Sequence, residues 1–185
     1  LMTRRITDMR RLLLLAVLGL ATPGAAQERP EAGPVIFSGG AVFPVEATFP
    51  TPRSLEYKVA FEVATSAEEP HQLNVALNTV ARFINMHAQA EVPLERIRPA
   101  IVVHGPAGWD LLDDESYQAR TGVPNPNAEL LRELMDFGTR VILCGQTAAA
   151  RGIPIDGLLD GVEVSLSAIT AFVVLQDEGY NVNPW

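Results

Sequence analysis

The chain has 185 residues, 48% of them hydrophobic, with 14 basic and 22 acidic side chains and a net charge of −8. So acidic a surface repels nucleic acid and anionic lipid, and argues against both as partners. Cys144 is the only cysteine, which excludes an internal disulfide and two-thiol disulfide exchange within one chain.

At the start, Met9-Arg10-Arg11 leads into the apolar run Leu12 to Leu20 and then the small-residue stretch Ala21 to Ala26. That order of basic, apolar and small residues reads as a secretory signal peptide over residues 1–26, with Gly24 and Ala26 at the −3 and −1 positions. The apolar run is shorter than the roughly 20 residues that span a bilayer. The expectation is export, with a periplasmic location and no membrane association after cleavage. Removing the signal leaves 10 basic and 21 acidic residues, a net charge of −11. Residues 27–53 read as a tether: they hold Pro30, Pro34, Pro44, Pro50 and Pro52 and show no helical period. Apolar residues there, such as Val35, Ile36 and Phe37, have the option of packing on the domain or on a neighbouring subunit.

Residues 54–185 form the expected domain, large enough for one core. Leu55, Tyr57, Val59, Phe61 and Val63 alternate with more polar residues, which predicts a strand with one buried face, toward one edge of its sheet. Leu73, Leu77, Val80 and Ile84 predict an amphipathic helix within 69–90, closed by Pro93. Residues 98–104 are apolar at their centre, as in a strand covered on both faces. A loop and short helix follow through Trp109 and Tyr117. Asn125-Pro126 opens a helix striped by Leu130, Leu131, Leu134 and Met135 and ended by Gly138. Then come a strand over 140–144, a short helix over 146–151, a strand over 162–166, a helix over 168–178 and a last strand over 180–182. This alternation predicts an α/β fold, a three-layer α/β/α open and mostly parallel sheet of about five strands.

In such sheets chemistry gathers beyond the carboxyl ends of the strands, where both His104 and Cys144 fall. A thiol between a strand and a helix start meets unpaired N–H groups and the positive end of a helix dipole, both of which favour the thiolate. Gly145 allows close backbone approach, and its N–H is a candidate donor to the anion. Gln146 is a candidate ligand to a bound sulfur or a helix cap, and His104 a candidate proton acceptor or donor to the thiolate. Trp109 and Tyr117 are candidate pocket walls, and Asn127 reads first as a cap. His71, His87 and His104 lack metal-ligand spacing, so no metal is expected. Asp110, Asp113, Asp114 and Glu115 read as a solvated helix start. The bland alternative for Cys144 is a small hydrophobe filling the core.

The run Asn127 to Ile153, centred on Arg140-Val141-Ile142-Leu143-Cys144-Gly145-Gln146, resembles the DsrE/DsrF-like sulfur-relay family. Val102-Val103-His104-Gly105 and Leu175 to Tyr180 resemble it as well, and the likeness covers roughly 55–185. The resemblance implies a persulfide carried on Cys144, without a cofactor. Asn127, His104, Gly145, Gln146 and Trp109 stand as supporting residues. It also implies assembly as a trimer or hexamer, and a sulfur donor or acceptor protein or small sulfane-sulfur species as partner. An exported chain departs from the family's better-known cytoplasmic members. The alternative function is a non-catalytic oligomeric binding module of the same fold. The last helix, apolar around most of its circumference, points to a homo-oligomer or to a helix buried within one chain.

Overall fold

The computed structural model describes residues 30–183, so the expected signal peptide lies outside the described residues. Five strands form one all-parallel sheet: β1 (Tyr57–Val63), β2 (Ile97–Val103), β3 (Arg140–Cys144), β4 (Glu163–Ser165) and β5 (Asn181–Asn183). Their order across the sheet is β4-β3-β2-β1-β5. Among the described residues the α-helices are α1 (Val75–Gln89), α2 (Asp114–Thr121), α3 (Ala128–Asp136), α4 (Gly145–Arg151) and α5 (Ala168–Asp177). A 3₁₀ stretch, Gly105–Leu111, follows β2. The expected α/β/α sheet of five strands is therefore present. β1 stands next to an edge, where β5 pairs with only Val59 to Phe61.

Local chemistry sets the helix starts. Expected over 69–90, α1 begins only at Val75, because the Asn74 side chain accepts from the Ala76 N–H and caps it there. Asn125 does not cap α3 directly. Its Oδ1 accepts from the Asn127 N–H, a local turn that delays the helix to Ala128. Asp113 caps α2 through the Ser116 N–H, and Ser167 caps α5 through the Thr170 N–H.

The sheet's two faces are covered unequally. Phe61, Val63, Ile101, Val103, Val141 and Leu143 point to one face, beneath Leu77, Val80 and Ile84 of α1, Leu130, Leu131 and Leu134 of α3 and Ala148 of α4. Ala60, Ala100, Val102 and Ile142 point to the other, where Ala171 and Leu175 of α5 meet them. The chain steps from β1 to β4 in one direction and crosses back once to reach β5. Right-handed crossovers put helices of opposite travel on opposite faces, so only α5 falls on the second.

The supposed tether is held down over its first part. Asn85, fully buried, accepts from the N–H groups of Val35 and Ile36 and donates to the carbonyls of Ile36 and Gly40. Glu133 accepts from the Phe37 and Ser38 N–H groups and the Ser38 hydroxyl, and Ile36 is buried. Gly40 combines a φ of +71° with close contact on the Ala81 backbone, so a side chain there has no room. Five polar side chains of α1 and α3 (Asn78, Arg82, Asn85, Gln89 and Glu133) thus bind the backbone of this segment, which its proline content did not foretell. Phe43, Val45 and Phe49 beyond it are exposed.

Candidate functional site

Three strands deliver side chains to one spot. Alternation from Ala60, Val102 and Ile142, all on the α5 face, carries Glu62, His104 and Cys144 to that same face at the carboxyl ends of β1, β2 and β3. Val103 pairs with Leu143, so the next step in register sets His104 beside Cys144 on neighbouring strands.

Cys144 occupies the N-cap position of α4, and its Sγ lies 3.4 Å from the Thr147 N–H it accepts from. Burial pushes the thiol pKa up. The Thr147 hydroxyl and the N–H groups of Thr147, Ala168 and Gln146 outweigh that and hold it below its ordinary value. The Thr147 hydroxyl itself accepts from the Gly105 N–H at 3.2 Å, which leaves its proton for the sulfur. The donors come from two helix starts, α4 and α5, and the loop after β2 orients the hydroxyl. Cys144 is only 6% exposed and lies beneath the turn from β4 into α5, whose Ser165 and Leu166 carbonyls approach Gly145.

His104 is half-buried, and its Nε2 lies 2.8 Å from Glu62 Oε1. A carboxylate only accepts, so Nε2 carries the proton and Nδ1 is left for another partner. Glu62 also lines a cleft of about 540 Å³ at the start of α1, with Thr65, Ser66, Gln72, Asn74 and Thr79. His104 and Cys144 do not line this cleft, whose wall comes from the end of β1, the loop after it and the start of α1.

The other expected site residues go elsewhere. The donors to the sulfur are the N–H groups one, two and more residues beyond Gly145. Gly145 itself supplies space, since a Cβ there would collide with the Ser165 carbonyl. The Gln146 side chain is exposed and lies 3.5 Å from the Leu166 carbonyl; only its backbone N–H serves the sulfur. Asn127 is buried and accepts from the Asn74 N–H at 2.8 Å, joining the starts of α1 and α3. Trp109 packs against the larger core under the Arg120 guanidinium, 3.6 Å from its ring centre, and Tyr117 is buried with its hydroxyl on the Pro70 carbonyl. Neither walls a pocket at Cys144. Asp110 leaves the solvated cluster too: it is buried against Asn74, and burial raises its pKa to about 6. Asp113, Asp114 and Glu115 do form the start of α2. Among the described residues no three His, Cys, Asp or Glu side chains converge as a metal site would need.

A profile of the DsrE/DsrF-like family matches residues 58–184, from the second residue of β1 through β5. The chain belongs to the DsrE/DsrF-like family. Two solved structures share its architecture. One is MTH1491 of Methanobacterium thermoautotrophicum, a protein of unknown function; the TM-score is 0.52 at 25% identity, over 70% of this chain and 99% of that one. The other is the ychN protein of E. coli, with a TM-score of 0.50 at 17% identity, over 69% and 98%; at that identity it speaks for the fold alone. No curated protein matches the chain. DsrE/DsrF-like membership suggests sulfur relay at the level of the family. Residues 30–43, which bind across α1 and α3, lie outside the matched stretch.

Glu62, Thr147 and Ala168 do not stand out in the sequence reading. Glu62 carries a faint signal, a carboxylate at the last outward position of β1, and Thr147 sits three residues after the capping Cys144. Ala168 carries none, since only the return of α5 brings its N–H to the sulfur.

Proposed function

We propose that this DsrE/DsrF-like protein is an exported, periplasmic sulfur carrier that holds sulfane sulfur as a persulfide on Cys144. The observation that carries this reading is the set of four donors around one sulfur, which lowers the thiol pKa and so favours the thiolate in spite of burial. The thiolate attacks the terminal sulfur of a donor persulfide. A new S–S bond forms at Cys144, the donor's S–S bond breaks, and the donor leaves as a thiolate. A persulfide at the same position is an anion that the same N–H groups hold. Assembly into a trimer or hexamer belongs to the proposal, supported by exposed Leu166, Ile169, Val173 and Val174 on and beside α5.

The test is intact mass of the mature protein after exposure to polysulfide or an organic persulfide. A gain of one sulfur, lost on dithiothreitol treatment and missing in Cys144→Ser, supports the carrier. Serine keeps an N-capping oxygen, so that control retains the local fold. Absence of an adduct with every donor would sink it. A second reading, a binding module that never turns over, draws on the 6% exposure of Cys144. A thiol that resists alkylation in the folded protein would favour it.

A further inference from the structure

We propose that residues 165–168, where β4 turns into α5, form a lid that closes over the Cys144 thiolate and lifts to admit the sulfur donor or the acceptor thiol. This rests on the carrier reading for the need to reach the sulfur, and adds a gate to it. A residue only 6% exposed leaves little room for an incoming sulfur, so some part of its cover has to move.

The turn touches the site and serves it. A Cβ on Gly145 would lie 2.5 Å from the Ser165 carbonyl oxygen and 3.4 Å from that of Leu166, so the turn rests on the residue beside the cysteine. Its Ala168 N–H donates to the sulfur. The turn is also weakly held. Between Leu159 and Ala171 no side chain is buried, and Leu166 and Ile169 are 74% and 78% exposed. Ser165 Oγ lies 3.2 Å from the Leu143 carbonyl and 2.9 Å from that of Ser167, with one proton to share between them. Gln146 Nε2 reaches the Leu166 carbonyl at 3.5 Å, the far limit of a hydrogen bond. Both ends of the segment are fixed, by contrast. Arg140 grips the Glu163 carboxylate through bonds of 2.9 and 3.0 Å, and Ala171 and Leu175 anchor α5 against the sheet. The other donors to the sulfur, Gln146 and Thr147, belong to the first turn of α4 and withdraw only if that helix unwinds. Closure and ionisation are linked: the Ala168 N–H binds an anion better than a thiol, so the thiolate draws the turn shut and an opened turn leaves a less acidic sulfur.

Alkylation of Cys144 by iodoacetamide, followed across pH and at several low urea concentrations, reads the limiting rate and the thiol midpoint separately. Ser165→Ala removes the latch and is expected to raise the limiting rate several-fold, up to about ten-fold, with little movement of the midpoint. Gly145→Ala props the turn open. Its limiting rate is expected to rise further and its midpoint to move upward, because the Ala168 N–H no longer reaches the sulfur. In both variants the gain is expected to stay nearly constant with urea below the unfolding transition, the mark of a local opening. Limiting rates within about two-fold of wild type in both variants overturn the lid. So does a wild-type rate that climbs with urea as steeply as global unfolding. Should the turn open in this way over a thiol that no persulfide loads, the lid stands and the carrier reading falls.

Discussion

The two faces of the sheet are built to different standards. One is sealed by α1, α3 and α4 and overlain by residues 30–43, and it holds most of the buried large side chains. The other has α5 alone, and along that helix Ile169 and Val173 are 78% and 60% exposed. Cys144, His104 and Glu62 all belong to the thin face. A thick hydrophobic face holds the fold, which frees the thin one to carry polar groups close to solvent.

This contrast can be broken most directly through core truncation. Leu131→Ala, on the sealed face, is expected to cost about 2–5 kcal/mol in urea unfolding, by lost transfer energy and the cavity left behind. Should it cost no more than a surface change, the sealed face is not where stability resides.

Asp110 sharpens the comparison by pH. Its folded pKa, about 6, lies above its ordinary 3.8, so its contribution to stability is full below 3.8 and is lost as pH rises through about 6. The shift corresponds to on the order of 3 kcal/mol. Asp110→Asn is therefore expected to flatten the change in stability between pH 5 and pH 7.5; an unchanged slope would place the titration elsewhere.

A comparable effect is expected for Asn85→Ala, which strands the buried backbone of Val35 and Ile36. Each unpaired buried group costs about 1–3 kcal/mol, and limited proteolysis between residues 33 and 42 reports the release. Glu133 binds the same segment. Burial opposes its ionisation, but the Ser38 and Phe37 donors hold its pKa below the ordinary value. That contribution is present above the ordinary carboxylate range and fades as pH falls through the lowered pKa, so acid is expected to loosen the segment.

On the thin face the effects shrink. Cys144→Ala removes an N-cap acceptor and is expected to cost about 1 kcal/mol, with Cys144→Ser costing less. In wild type the alkylation rate against pH is expected to show a midpoint below the roughly 8.5 of a free thiol, moving upward in Thr147→Val. A midpoint unmoved by that variant would remove the hydroxyl from the account. Val173→Ser is expected to change monomer stability by no more than about 0.5 kcal/mol. It is also expected to shift elution on gel filtration toward smaller species; an unshifted peak would exclude that patch from assembly.

Periodicity was enough for the strands, the helix stripes and the α/β class, because buried faces impose a period of two or about three and a half on any chain that makes them. The reactive sulfur was legible for a similar reason: a lone cysteine between strand and helix has few other places to be. Its partners were not, since Thr147 reaches it only once the first turn of α4 has formed and Ala168 only through the return of the chain into α5. The single reverse crossover decided which face stays thin. The capture of residues 30–43 depended on Asn85 and Glu133, polar side chains whose positions on two packed helices no local pattern encodes. Contacts between residues far apart in the chain exist only once the sheet has closed its order, and that is where tertiary structure had the final word.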